Sequence, residues 1–375
     1  MEYRMMEKLG VKTSLLGFGC MRFPTTADGE IDEARAEKMI DTAIAAGVNY
    51  IDTAYPYHNG KSEPFVGKVL SKYPRDSYYV ATKLPVWLVK SVEDAERIFN
   101  EQLEHLRTDH IDFYLLHAMN RGRFDELVKQ GIIEWAEAKQ KEGKVRNLGF
   151  SFHDNYEAFE HIITYRNWDF CQIQLNYMDT EIQAGLKGYQ LAEKLGVPMV
   201  IMEPIKGGSL TTFAKDITDM FTAERPDMSV ASWALRYVAS MPNIKVVLSG
   251  MSSEDNVADN LKTFENFEPL SEKEQQVVAD VVKAVKARVK NGCTGCRYCM
   301  PCPFGVDIPR NFHLWNEHAM YGNDGAAKWN YFHEMKEESR ADQCKKCGAC
   351  EKVCPQAIKI RDNLAQVALD MNALK

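Results

Sequence analysis

The sequence predicts a closed α/β barrel of eight strand–helix units, a (β/α)8 or TIM-type barrel, followed by a small cysteine-rich domain. Three observations predict it. From residue 15 to 250, short β-branched runs alternate with longer stretches of helical periodicity, the pattern of parallel strands joined by right-handed crossovers. The strand-type runs number eight and no GxGxxG turn follows the first, which favours closure over an open doubly wound sheet. Of the 10 cysteines, eight lie beyond residue 292, where the composition changes abruptly.

Taken in order, residues 1–13 are expected to form a hairpin across the barrel's bottom. The strands are LLGFGC (15–20), VNYID (48–52), YYVATK (78–83), IDFYLLH (111–117), VRNLGFS (145–151), FCQIQLN (170–176), PMVIME (198–203) and IKVVLSG (244–250). Between them, DEARAEKMIDTAIAAG, VEDAERIFNEQLEHLR and DELVKQGIIEWAEAKQKEG each read as an amphipathic segment, the first and third closing on the glycine expected just past a helix. SEKEQQVVADVVKAVKARVK reads as a further helix. The expected domains are the barrel over 1–268, a helical connector over 269–290 and the cysteine-rich domain over 291–375.

Composition narrows the function. With 45% hydrophobic residues the chain can bury a sizeable core, and a net charge of -7 argues against nucleic acid as a partner. No run approaches the 18 apolar residues of a membrane span and no signal-peptide pattern opens the chain, so the expectation is a cytoplasmic protein without a membrane partner. Cys20 and Cys171 sit singly in apolar strands and read as small buried hydrophobes. The other eight thiols, in a reducing compartment, point to metal ligation or redox chemistry.

A barrel carries its chemistry at the carboxyl ends of its strands. There the second strand ends in Asp52 with Tyr57 five residues on, the third in Lys83 and the fourth in His117. A tyrosine, with an ordinary pKa of about 10, donates a proton poorly near neutrality. A neighbouring lysine lowers that pKa, an aspartate holds the lysine in place, and a histidine can orient a carbonyl or stabilise its developing charge. Such a set suits carbonyl reduction, Tyr57 protonating the oxygen as hydride reaches the carbon.

The stretch IDTAYPYHNGKSE, then ATK, then YLLH, resembles the aldo-keto reductases, over roughly residues 1 to 265. The resemblance implies a (β/α)8 barrel, an Asp52, Tyr57, Lys83 and His117 tetrad, and reversible hydride transfer between a nicotinamide and a small aldehyde, ketone or alcohol. It further implies that GFS (149–151) and QLNY (174–177) hold the nicotinamide, with Ser151, Gln174 and Asn176 on the carboxamide and Tyr177 stacked on the ring. MEPIKGGSL (202–210) and SGMSSEDNVADN (249–260) follow strands seven and eight, where barrels commonly bind phosphate. Gly207, Gly208, Ser252, Asn256 and Asn260 are the candidates there, Ser252 or Ser253 opening a helix suited either to an anion or to a simple cap. Family members that prefer NADPH usually carry cations where this chain has Gly250 and Asn256, so NADH and NADPH stand as equal candidates.

In the last domain, CTGCRYCMPCP supplies Cys293, Cys296, Cys299 and Cys302, and CKKCGACEKVCP supplies Cys344, Cys347, Cys350 and Cys354. The second run matches C-x2-C-x2-C-x3-C-P of bacterial ferredoxins, in which the fourth cysteine ligates the other cluster. Two 4Fe-4S clusters are therefore expected: Cys293, Cys296 and Cys299 with Cys354, and Cys344, Cys347 and Cys350 with Cys302. Zinc ribbons would leave the third cysteine and the proline of each run unexplained. Two features are irregular: the shorter spacing before Cys302 and the long insertion before Cys344, where RNFHLWNEHAMYG and AAKWNYFHEMK read as amphipathic helices. The whole resembles the iron-sulfur-bearing branch of the aldo-keto reductases. Hydride moves two electrons whereas each cluster passes one, so coupling the two would call for a carrier such as a flavin. The leading reading is a reductase whose clusters exchange electrons with a partner protein. An electron-transfer protein whose barrel binds flavin, and a simple reductase with structural clusters, are its rivals.

Overall fold

The computed structural model describes residues 1–375 and divides them into two compact units, Met1–Lys206 with Ser232–Ser271, and Gly207–Ala231 with Glu272–Lys375. In the first unit, strands β1 (Tyr3–Met6) and β2 (Val11–Ser14) form an antiparallel hairpin. Eight parallel strands then close a barrel: β3 (Leu16–Gly19), β4 (Tyr50–Asp52), β5 (Tyr79–Leu84), β6 (Ile111–Met119), β7 (Val145–Phe152), β8 (Phe170–Gln174), β9 (Met199–Met202) and β10 (Ile244–Ser249). They lie in sequence order, with β10 pairing back onto β3.

The helices of this unit are α1 (Glu33–Ala45), α2 (Ser62–Leu70), α3 (Val92–Leu106), α4 (Arg121–Lys129), α5 (Ile132–Lys141), α6 (Tyr156–Tyr165) and α7 (Gly185–Lys194). The segment expected to be one amphipathic run over 125–143 is instead two helices, α4 and α5. Gly131 divides them: its φ of +73° is left-handed, a conformation that ends one helix cheaply in glycine and cannot continue it.

The barrel interior follows from period-two alternation. Met6, Tyr50, Ala81, Phe113, Leu115, Phe170, Val200, Val246 and Leu248 form one buried cluster, so the hairpin's Met6 closes the lower end of the stack. Gly17 is glycine because this interior is full: a Cβ there would lie 2.6 Å from Val246 and 2.7 Å from Leu248. Outside the strands, a larger apolar cluster including Trp168, Phe150, Phe99 and Trp135 packs the helices onto the sheet, and Cys20 and Cys171 lie fully buried within it.

The second unit holds α8 (Lys215–Glu224), α11 (Glu272–Lys286), α12 (Ile308–Tyr321), α13 (Asp324–Trp329) and α14 (Ile360–Asn372). Of the remaining helices, α9 (Val230–Ala239) runs from the end of the second unit's Gly207–Ala231 segment into the first unit, and α10 (Glu254–Glu265) belongs to the first unit. The first insertion segment folds as α12, while the second is α13 followed by a π-helical turn, Asn330–Glu334; α14, which no cysteine spacing announces, buries Leu364, Val367 and Met371 in one cluster with Phe312 and Trp315 of α12. No helix is long and apolar enough to cross a membrane.

Candidate functional site

The same alternation that fills the barrel places its polar rim. Asp52 lies two residues beyond Tyr50, Lys83 two beyond Ala81, and His117 two beyond Leu115, so each continues an inward-facing row toward the carboxyl end. Registry aligns them, Asp52 opposite Ala81 and Lys83 opposite Leu115. Lys83 is fully buried, and its Nζ donates to Asp52 Oδ1 at 2.7 Å, Asp52 Oδ2 at 2.8 Å and the Thr53 carbonyl at 2.7 Å. Burial works against this ammonium, but Asp52 and Tyr57 more than offset it and the group is held charged. Burial also raises the Asp52 carboxyl, with Lys83 opposing; the bidentate geometry is that of an ion pair.

Tyr57 begins a 3-10 turn (Tyr57–Gly60) in which His58 and Asn59 have φ of 51° and 55°. Left-handed non-glycine residues cost about 1–2 kcal/mol each, and here they bend the chain so that Tyr57 returns over Lys83, 5.2 Å from ammonium to ring centroid. The lowered tyrosine pKa expected from the lysine is not what the surroundings produce. Burial raises the phenol first, Lys83 lowers it, and Asp52 raises it again, because Asp52 cancels much of the lysine's field. Tyr57 is thus a phenol that stays protonated through neutrality.

The His117 ring lies 6.2 Å from that of Tyr57, edge to face, and 5.1 Å from Trp87. Burial first, then Lys83, His153 and Arg123, push its pKa down to about 2, so the imidazole is neutral, and its buried Nδ1 has no protein partner. Neutral imidazole can donate one N–H to a substrate oxygen.

Behind Lys83 sits a polar network with no precedent in the motif reading. The fully buried Glu63 of α2 accepts from Thr82 Oγ1 at 2.5 Å and Gln102 Nε2 at 2.7 Å, and faces His105 Nδ1 at 3.2 Å. Gln102 also donates to the Lys83 carbonyl at 3.0 Å and accepts from Tyr114 at 2.8 Å. The network ties α2 and α3 to the strand that carries the lysine. Glu63 stands in the quoted KSE triplet, but a sequence gives no sign that this carboxylate is buried.

The expected cofactor residues divide into groups. Ser151 Oγ accepts from the Ala118 N–H at 2.8 Å and keeps its own proton to donate. Asn176 is buried, donating to Asp179 at 3.1 Å and to the Glu203 carbonyl at 3.2 Å, while Gln174 reaches Asp179 at 3.4 Å. Asp179 also pairs with Lys206 at 2.7 Å. Tyr177 is buried edge-on to Tyr237, with centroids 6.0 Å apart. Ser253 caps α10 by accepting from the Asn256 N–H at 3.2 Å, and Asn256 in turn accepts from the Ser252 N–H at 3.2 Å. Asn260 donates to Ser249 at 2.7 Å. Gly207 and Gly208 fall in the second unit, both with positive φ. A cation unflagged by spacing, Arg22, lays its stem against Gly250: a Cβ on that glycine would lie 2.8 Å from Arg22 Cγ.

In the second unit the cysteines ring two cavities. One is lined by Cys293, Cys296, Cys299 and Cys354; the other by Cys302, Cys344, Cys347 and Cys350, with Cys299 between them. No three of the His, Cys, Asp and Glu side chains converge tightly enough to hold a single ion. Thiols spread around a cavity fit a polynuclear cluster better than zinc, which draws four sulfurs to about 2.3 Å of one point.

Comparison with known proteins matches residues 15–283 to the Aldo/keto reductase family and residues 292–359 to a 4Fe-4S dicluster domain. L-galactose dehydrogenase of Arabidopsis thaliana is 27% identical, covering 77% of this chain and 96% of its own. The NADH-specific methylglyoxal reductase of Escherichia coli is 24% identical over 68% of this chain and 89% of its own. Among solved structures, an aldo-keto reductase of Bacillus halodurans in its holo form superposes with a TM-score of 0.64 at 26% identity, covering 75% of this chain and 96% of that one.

Proposed function

The chain belongs to the aldo/keto reductase family and carries a 4Fe-4S dicluster domain, and from that premise we propose that its barrel reduces a small aldehyde or ketone, or oxidises the corresponding alcohol, with Tyr57 as the acid. The observation that carries this reading is the buried Lys83–Asp52 pair with Tyr57 above it and neutral His117 beside it. A bound nicotinamide, NADH or NADPH, would supply the hydride to the carbonyl carbon. Tyr57 gives its phenolic proton to the carbonyl oxygen, which becomes the alcohol, and the phenolate is reprotonated from solvent before the next turnover. Lys83 stabilises that transient phenolate, and Asp52 keeps the ammonium in place so that no charge must reorganise during the step. His117 hydrogen-bonds the carbonyl oxygen and fixes its angle of approach.

For the dinucleotide, Ser151, Gln174, Asn176 and Tyr177 are the proposed nicotinamide contacts, and the Gly250–Asn260 segment, with Arg22 beside it, the proposed phosphate contact. The clusters are assigned as Cys293, Cys296, Cys299 and Cys354, and as Cys302, Cys344, Cys347 and Cys350, the sets that line the two cavities. We assign them to one-electron exchange with a partner protein, in a reducing cytoplasm that keeps such clusters intact.

The test is anaerobic NAD(P)H oxidation by the full chain with a panel of short aldehydes. Wild type should turn over and Tyr57→Phe should lose at least about a hundredfold in kcat, the usual scale of general-acid catalysis. Equal rates in the two would remove Tyr57 from the chemistry.

A further inference from the structure

Two segments with no specificity readable in their sequence supply side chains beside His117: the loop 85–91, and residues 118–124, which sequence alone suggests as a loop but which end β6 and begin α4. Trp87 stands on a 3-10 turn (Val86–Leu88) just after β5 and is 43% exposed, unusual for so large an apolar ring. Its centroid lies 5.1 Å from His117. Over it sits Arg123 of α4, with the guanidinium carbon 5.6 Å from the ring centroid.

Arg123 is held in place from both ends. Its Nη1 donates to the carbonyl of Ala118 at 2.6 Å. Ala118 follows His117 directly, has a left-handed φ of 52°, and is fixed again by its own N–H to Ser151. The guanidinium has five N–H donors, and no carboxylate pairs with it. Arg121, two residues earlier on the same helix, pairs with Asp125 at 2.8 Å, and Arg75, Arg97 and Arg146 are all paired with carboxylates as well. In a chain of net charge -7, an arginine oriented on an indole and left without a counter-ion is a planar donor array awaiting an anion. Stacking on an aromatic face pre-organises it for bidentate recognition. His117 beside it is neutral and burial lowers the His153 pKa as well, so the guanidinium is the cation on this side of the mouth.

We propose that Arg123, stacked on Trp87, holds an anionic group of the substrate, so that the barrel acts on short carbonyl compounds or alcohols that also carry a carboxylate or a phosphate monoester. This rests on the reductase reading of the same mouth and narrows its substrate class.

The test uses the full, cluster-loaded chain and two matched pairs, butanal with 4-oxobutanoate and glyceraldehyde with glyceraldehyde 3-phosphate. Wild type should favour the charged member of at least one pair by about tenfold or more in kcat/KM, mainly through KM, the scale of a charge-assisted hydrogen bond. The preferred pair tells carboxylate from phosphate. In Arg123→Gln that ratio should fall by about tenfold, and Arg123→Lys should retain part of it. A wild-type ratio near one for both pairs, or a ratio untouched by Arg123→Gln, overturns the proposal. Calorimetric titration with succinate and with inorganic phosphate reads the same site without turnover. Arg123-dependent binding without reduction of any carbonyl would sink the reductase reading and leave the anion site standing; reduction with neither discrimination nor binding at Arg123 would do the reverse.

Discussion

Replacing Lys83 by methionine is the most informative single change in the barrel. It keeps the stem's volume and removes three donated hydrogen bonds, two to Asp52 and one to the Thr53 carbonyl. Asp52 is buried and takes its hydrogen bonds from Lys83 alone, so the variant leaves an unpaired buried carboxylate, which costs about 3–5 kcal/mol. The cost depends on pH in a defined sense. Burial already raises this carboxyl against the opposing lysine; without the lysine it rises further in the folded state. The destabilisation is therefore full at alkaline pH, where the folded state must keep the carboxylate ionised. It shrinks as the pH falls and the folded carboxyl is protonated, with a limiting slope of about 1.4 kcal/mol per pH unit. Adding Asp52→Asn should recover much of the loss at pH 8, because the stranded charge is gone. Urea unfolding followed by tryptophan fluorescence at pH 5, 6.5 and 8 measures all of this. If Lys83→Met is equally destabilised across that range, or if the double variant is no more stable than the single, the ion-pair account of the site is wrong.

Other consequences follow from neighbouring groups. Because burial holds the Tyr57 phenol above its ordinary value, carbonyl reduction should be flat through neutrality and fall only in strong alkali, whereas alcohol oxidation, which needs the phenolate, should climb with pH; a reduction limb falling near pH 7 would contradict this. The His105 pKa is raised chiefly by its hydrogen bond to Glu63, so its stabilisation is complete below about pH 6.5, the ordinary histidine value, and fades as pH rises through the folded value. His105→Gln should flatten the dependence of the urea midpoint on pH between 6 and 9. Interleaved cluster ligation predicts that Cys293→Ser combined with Cys354→Ser spares one cluster, about four iron atoms per chain, while sequential ligation predicts loss of both.

How much of this was legible varies with the physics behind each residue. Asp52, Lys83 and His117 could be read because strand alternation and the barrel's polarity of active-site placement are periodic rules, and each stands at a strand's carboxyl end. Tyr57 could be read as a candidate five residues past Asp52, but its return over Lys83 depends on two left-handed residues, His58 and Asn59, that propensity does not foretell. A sequence shows the lysine that would lower the tyrosine's pKa but not the burial that raises it. Gly131 splits what looked like one amphipathic segment, a break visible only once its positive φ is known. Ser252, Ser253 and Asn256 satisfy one another at the α10 terminus, as the capping alternative anticipated. Trp87 and Arg123 were unreadable because a turn after β5 and the first turn of α4 meet only through the fold. The cysteine runs, by contrast, state their chemistry through spacing alone.

Direct passage of hydride between nicotinamide and substrate, with Tyr57 supplying the proton, leaves an isotopic signature in the product. Transfer of deuterium from C4-deuterated NAD(P)H during reduction of an aldehyde by the cluster-loaded chain tests it most directly. One deuterium is expected on the product's carbinol carbon; a product whose new hydrogen comes wholly from solvent would rule out direct hydride transfer and move the chemistry to the iron-sulfur clusters.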